Sequence, residues 1–103
     1  MNSKEINTVT GTIIDHDIRF TLADICRVTC ADPRLIIQLI EYRIILPIGE
    51  SESNWVFDDI CLKRAKLARN FYHDLEVNLP GIALLLDMLE QIELLESEIA
   101  QIK

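Results

Sequence analysis

The sequence predicts a mainly helical fold in which a helix-turn-helix is joined by a small β wing to a long C-terminal helix. Three observations carry that expectation. Two helix starts are marked by capping residues, at Thr21 and at Asp32. An Ile-rich run, an acidic polar loop and an aromatic-rich run then follow one another as the arms and tip of a hairpin do. Finally, Leu85, Met88, Ile92, Leu95, Ile99 and Ile102 alternate spacings of three and four, the period of a coiled-coil seam.

In chain order, residues 1 to about 8 are polar, and Thr8-Val-Thr-Gly-Thr-Ile-Ile-Asp15 has the β-branched content of a short edge strand. Thr21 with Asp24 forms a capping box ahead of Leu22, Ile25, Cys26 and Val28, which gives a first helix of about two turns. Asp32-Pro33 supplies an N-cap followed by a proline at the first helical position, and a second helix runs to about Tyr42. Two short helices joined by a tight turn make a helix-turn-helix. Ile44-Ile-Leu-Pro-Ile-Gly49, the loop Glu50-Ser-Glu-Ser-Asn54 and Trp55-Val-Phe57 form the wing.

Asp58 caps a third helix, expected over 58–76, whose Cys61, Ala65, Ala68, Tyr72 and Leu75 recur at helical spacing as one buried stripe. Asp59, Lys63, Lys66, Asn70 and His73 fall on its other face. Asn78-Leu-Pro-Gly81 ends that helix and starts the last, expected over 78–103. Besides the seam, the last helix carries a second apolar row, Ile82, Leu86 and Leu89. One row is expected to pack on the domain and the other to await a partner, so a homodimer through the seam is the expectation.

The chain has 103 residues, 50% hydrophobic and 26% charged, which suits a single folded domain over 1–103, without a second core. No apolar stretch approaches the roughly 20 residues of a membrane span, and the polar start Met1-Asn-Ser-Lys-Glu5 lacks a signal-peptide core. A cytoplasmic location is therefore expected. The odd set Cys26, Cys30 and Cys61 lies in or beside apolar helical patterns, as reduced, buried thiols do.

The formal net charge is −7, and from Asp74 onward seven acids face the single base Lys103. That sign repels phosphate backbones and favours a basic partner. The candidate contact acids are Glu50 and Glu52 in the wing, Asp58 and Asp59 at the third helix, and Asp87 and Glu90 on the last.

Trp55-Val-Phe-Asp58, the basic third helix ending in His73-Asp-Leu75, and Asn78-Leu-Pro-Gly-Ile-Ala83 followed by Leu84-Leu-Leu-Asp-Met-Leu89 resemble the CbpM family of chaperone modulators. Over about residues 20 to 75 the order of elements resembles the winged helix-turn-helix of MerR-type regulators. The resemblance implies a partner, the J-domain of a DnaJ-like co-chaperone of the CbpA type. It also implies inhibition of that protein's co-chaperone and DNA-binding activities.

A MerR-type DNA-binding regulator is the alternative. The second helix is a poor groove reader, because beside Leu35, Ile36, Ile37, Leu39 and Ile40 its polar strip holds only Arg34, Gln38 and Glu41, with Arg43 just beyond. The excess apolar surface, notably Ile37, reads as core or as a protein-binding patch. Cys26 and Cys30 lie one turn apart, but no third or fourth zinc ligand accompanies them, which favours packing over a metal. His16 and His73 are isolated. Lys63, Arg64, Lys66 and Arg69 read as a solvated face pairing with nearby acids, or as a contact for a second subunit's acidic tail. Trp55 anchors the wing on the core or stands exposed as an interface hot spot. Three glycines, with no phosphate-cradling loop, nucleophile elbow or nucleophile–histidine pairing, argue against an enzyme, and no cofactor is implied.

Overall fold

The computed structural model describes residues 18–102. The edge strand expected at Thr8–Asp15, and His16, lie outside the described residues. Strand β1 (Phe20–Thr21) leads into α1 (Leu22–Thr29) and α2 (Pro33–Glu41). A 3-10 turn (Glu52–Asn54), strand β2 (Val56–Phe57), α3 (Asp59–Asp74) and α4 (Leu79–Ile102) complete the order.

The capping box at Thr21 is formed in both directions: the Thr21 hydroxyl accepts from the Asp24 N–H, and the Asp24 carboxylate accepts from the Thr21 N–H at 3.0 Å. Each bond satisfies a donor that the first turn of a helix leaves unpaired. Cys30 ends α1 in the left-handed region (φ 58°), and its N–H donates to the Cys26 carbonyl. This geometry points the Cys30 side chain outward, so Cys30 is exposed rather than buried, while Cys26 is partly buried and Cys61 is buried. Asp32 then caps α2 through the Arg34 N–H at 2.8 Å.

The wing is shorter than a full hairpin. Ile48 and Val56 exchange backbone hydrogen bonds of 2.8 and 2.9 Å as an isolated bridge. On its other edge β2 pairs antiparallel with β1, Phe20 opposite Phe57 and Thr21 opposite Val56. Val56 therefore sits between two neighbours, and the wing is tied to the chain just ahead of α1. Gly49 makes the turn possible at φ 122°, and a Cβ there would lie 2.6 Å from the Asn54 carbonyl oxygen.

Ile25, Ala31, Leu35, Ile36, Leu39, Ile44, Ile45, Phe57, Cys61, Ala65, Ala68, Leu79, Ile82 and Leu86 form one buried cluster. Trp55 packs against this cluster and meets Phe57 edge-on at a centroid distance of 6.5 Å, so the anchoring role is the one observed. The expected α3 stripe is buried at Cys61, Ala65 and Ala68 but not at Tyr72 or Leu75, which are exposed. Leu75 is the C-cap, at φ −115° and ψ 0°, so its side chain leaves the stripe, and Phe71 and Val77 pack against the core instead.

Of the second row on α4, Ile82 and Leu86 are buried, joined by Leu79, whereas Leu89 is exposed because it lies past the point where α4 leaves the core. Asn78 starts this helix by accepting the Gly81 N–H at 2.8 Å. Every described residue from Asp87 to Ile102 is exposed. The seam residues Met88, Ile92, Leu95, Ile99 and Ile102 are therefore uncovered, and Leu85 is partly buried.

Candidate protein-interaction surface

Three of the candidate acids converge. Asp58, Asp87 and Glu90 line one cleft of about 320 Å³ where the base of the wing, the start of α3 and the middle of α4 meet. Glu50 and Glu52 are exposed on the wing loop, outside the residues lining that cleft. Asp59 is partly buried in the first turn of α3. Trp55 belongs to the edge of the core.

Each carboxylate has a local reason for its position. Asp58 is the N-cap of α3, and its Oδ1 accepts the Cys61 N–H at 2.9 Å. That bond holds the carboxyl below its ordinary pKa, with Arg19 adding a favourable charge and partial burial opposing both. Asp87 and Glu90 are gathered by Arg64. Its Nε donates to the Ile44 carbonyl at 2.6 Å, its Nη1 pairs with Glu90, and its Nη2 lies 3.8 Å from Asp87. The Arg64 side chain is only 16% exposed, so this guanidinium is built into the junction, with a fork suited to several oxygen partners at once. Lys63 adds a pair with Glu93 at 3.6 Å. The basic face of α3 thus pairs with acids on α4 of the same chain, at Lys63 and Arg64.

Two apolar residues that the sequence reading did not single out line the cleft, Leu46 and Ile60, and they are 60% and 55% exposed. On the α3–α4 side a second groove, of about 480 Å³, is lined by Ile60, Leu67, Leu86 and Leu89 and rimmed by the Lys63–Glu93 and Arg64–Glu90 pairs. The sequence signal for Leu46 and Ile60 was faint: one follows two buried isoleucines, and the other falls off the α3 stripe by one position.

The helix-turn-helix face is chemically different. On α2, Arg34, Gln38 and Glu41 are exposed, and the Arg34 guanidinium lies 3.9 Å from Asp32. Ile37 is partly buried. Among the described residues no group of three or more His, Cys, Asp and Glu is placed to hold a metal ion, and no helix is long and apolar enough to cross a membrane.

The family model described as MerR HTH family regulatory protein matches residues 20–103. The chaperone modulatory protein CbpM of Coxiella burnetii (strain Dugway 5J108-111) is 42% identical over 91 residues, covering 88% of this chain and 86% of the relative. The proteins of the same name in Pseudomonas entomophila (strain L48) and Pseudomonas putida (strain KT2440) are 29% and 27% identical, each over 84% of this chain and 85% of the relative. A capped helix-turn-helix, a wing tied to β1 and a long projecting α4 accompany those likenesses, and the chain belongs to the CbpM family of chaperone modulatory proteins within the MerR-type helix-turn-helix group.

Proposed function

We propose that this protein is a non-enzymatic, cytoplasmic chaperone modulator that binds the J-domain of a CbpA-type, DnaJ-like co-chaperone and inhibits its co-chaperone and DNA-binding activities. The observation that carries the reading is the 42% identity to a chaperone modulatory protein over 88% of the chain. The charge supports it. An acidic surface, net −7 for the chain, complements a basic partner, which raises encounter rates and fixes orientation. Asp58, Asp87 and Glu90 are the contact acids favoured by their common cleft, with Glu50, Glu52 and Asp59 around the wing and helix start as the outer set.

We further propose that two copies associate through Leu85, Met88, Ile92, Leu95, Ile99 and Ile102. The spacing suits a coiled coil, and an isolated helical end that leaves its apolar face in water gains by covering it. The MerR-type fold keeps DNA binding as the rival reading. Against it stands α2, whose exposed strip offers few cations beside Glu41.

Titration calorimetry against the J-domain of the same organism's CbpA-like protein, at low and moderate salt, separates the two. The modulator gives saturable binding that weakens with salt. A DNA-binding regulator leaves the J-domain unbound and instead binds an operator fragment with a steep salt dependence.

A further inference from the structure

We propose that the part of α4 beyond Glu93 folds as a helix only when a second copy covers its seam, so that helix formation and self-association are one step. This coupling rests on the seam pairing proposed above and adds what pairing does to the chain. Lys63 holds α4 at Glu93, and Arg64 holds it at Glu90 and Asp87. Past Glu93 the helix continues through Ile102 with every residue exposed. Among the described residues beyond Glu93, none makes an ion pair or a side-chain hydrogen bond. This segment extends past the last ion pair by roughly two and a half turns, about 13 Å at the helical rise per residue.

Three features oppose a helix here in the single chain. A short helical stretch without tertiary contacts is marginal in water, even when the turns ahead of it spare the cost of nucleation. Glu93 and Glu96 lie three positions apart on one face, where like charges repel, and of the two only Glu93 is paired, with Lys63. Glu96 and Glu98 also stand toward the negative end of the helix dipole, and the last turn of α4 holds no base to offset them. What favours the helix lies on the seam. Leu95, Ile99 and Ile102 are exposed, and in continuous helix they line up with Met88 and Ile92 as a stripe that matches a second copy of itself. In a disordered segment that stripe does not exist, so ordering it and covering it go together. The chain thereby responds to its own concentration: dilute, it carries an open tail of acids and aliphatics, and paired, it carries a closed helix.

Two neighbouring leucines separate the seam from intrinsic propensity. Leu94 and Leu95 are 53% and 48% exposed, but only Leu95 lies on the seam, and glutamine matches leucine as a helix former. Full-length wild type, Leu94→Gln and Leu95→Gln are followed by sedimentation velocity and by hydrogen exchange of residues 94–102 over one concentration series. In wild type and Leu94→Gln, that segment is expected to exchange at least about tenfold more slowly in the dimer than in the dilute monomer. Its protection should track the dimer fraction while α1 and α2 stay unchanged. Leu95→Gln is expected to remain monomeric and unprotected up to higher concentration. A dimer that forms while exchange of 94–102 stays constant, fast or slow, overturns the coupling and leaves the seam pairing in place. Equal effects of the two substitutions overturn it as well, since Leu94 lies off the seam. A protein that sediments as a monomer throughout overturns the pairing and the coupling together.

Discussion

The near and far parts of α4 both carry aliphatic rows but have opposite surroundings. In the near half, Leu79, Ile82 and Leu86 close the core. In the far half, from Asp87 to Ile102, every residue faces solvent, including Met88, Ile92, Leu95 and Ile99. The change comes where Glu90 and Glu93 replace aliphatic residues on the side facing α3 and meet Arg64 and Lys63. A helix can thus lie against its neighbour first through apolar contact and then through ion pairs, leaving its seam free. The near part closes the core, and the far part is the one we propose for association.

The same substitution in each half gives the sharpest contrast. Ile82→Ala, at a fully buried site, is expected to cost about 2–5 kcal/mol in chemical denaturation, at every protein concentration. Ile99→Ala, at an exposed seam position, is expected to affect stability only through association, so its effect should grow with protein concentration and appear in sedimentation as a shift toward monomer. Equal, concentration-independent losses at the two sites would erase the distinction.

The junction between the halves comes next. Arg64→Met removes the donor to the Ile44 carbonyl and the pairs to Glu90 and Asp87. Because both carboxylates are well exposed, solvent screens the pairs, and most of the expected loss, about 1–2 kcal/mol, comes from the buried carbonyl. Hydrogen exchange should rise along α4 beyond Leu86 more than in α1 or α2.

The smallest effect is at Asp58. Replacing this N-cap with alanine is expected to cost about 1 kcal/mol at neutral pH. The folded carboxyl titrates below its ordinary value, so the native state gains from the charged form. That gain is fully present above the unfolded pKa of about 4 and is lost as pH falls through the lower folded value. The gap between wild type and Asp58→Ala should therefore narrow below about pH 4, which urea melts across that range would check.

Local signals were readable in the sequence. Thr21 with Asp24, Asp32 before Pro33, and Asp58 before α3 each begin a helix because the bond they make lies within three residues. The split of α4 into two apolar rows was readable from spacing at Ile82 and Leu86, but not the point along the helix where burial ends, which leaves Leu89 exposed. Features set by distant chain were not. The pairing of Phe20 with Phe57 joins the second arm of the wing to residues ahead of α1 that carry no strand pattern of their own. The exposure of Tyr72 and Leu75 depends on where the chain turns into α4. For the candidate surface, the acids were visible as types, but the gathering of Asp87 and Glu90 by Arg64, and the place of Leu46 and Ile60 beside them, arise from contacts between separate elements.

The most direct test of the modulator account is the ATPase rate of the organism's DnaK-type chaperone stimulated by its CbpA-like co-chaperone, measured as this protein is added. The account predicts that stimulation falls to the unstimulated rate at saturation. A stimulated rate that is unchanged at excess modulator would contradict it.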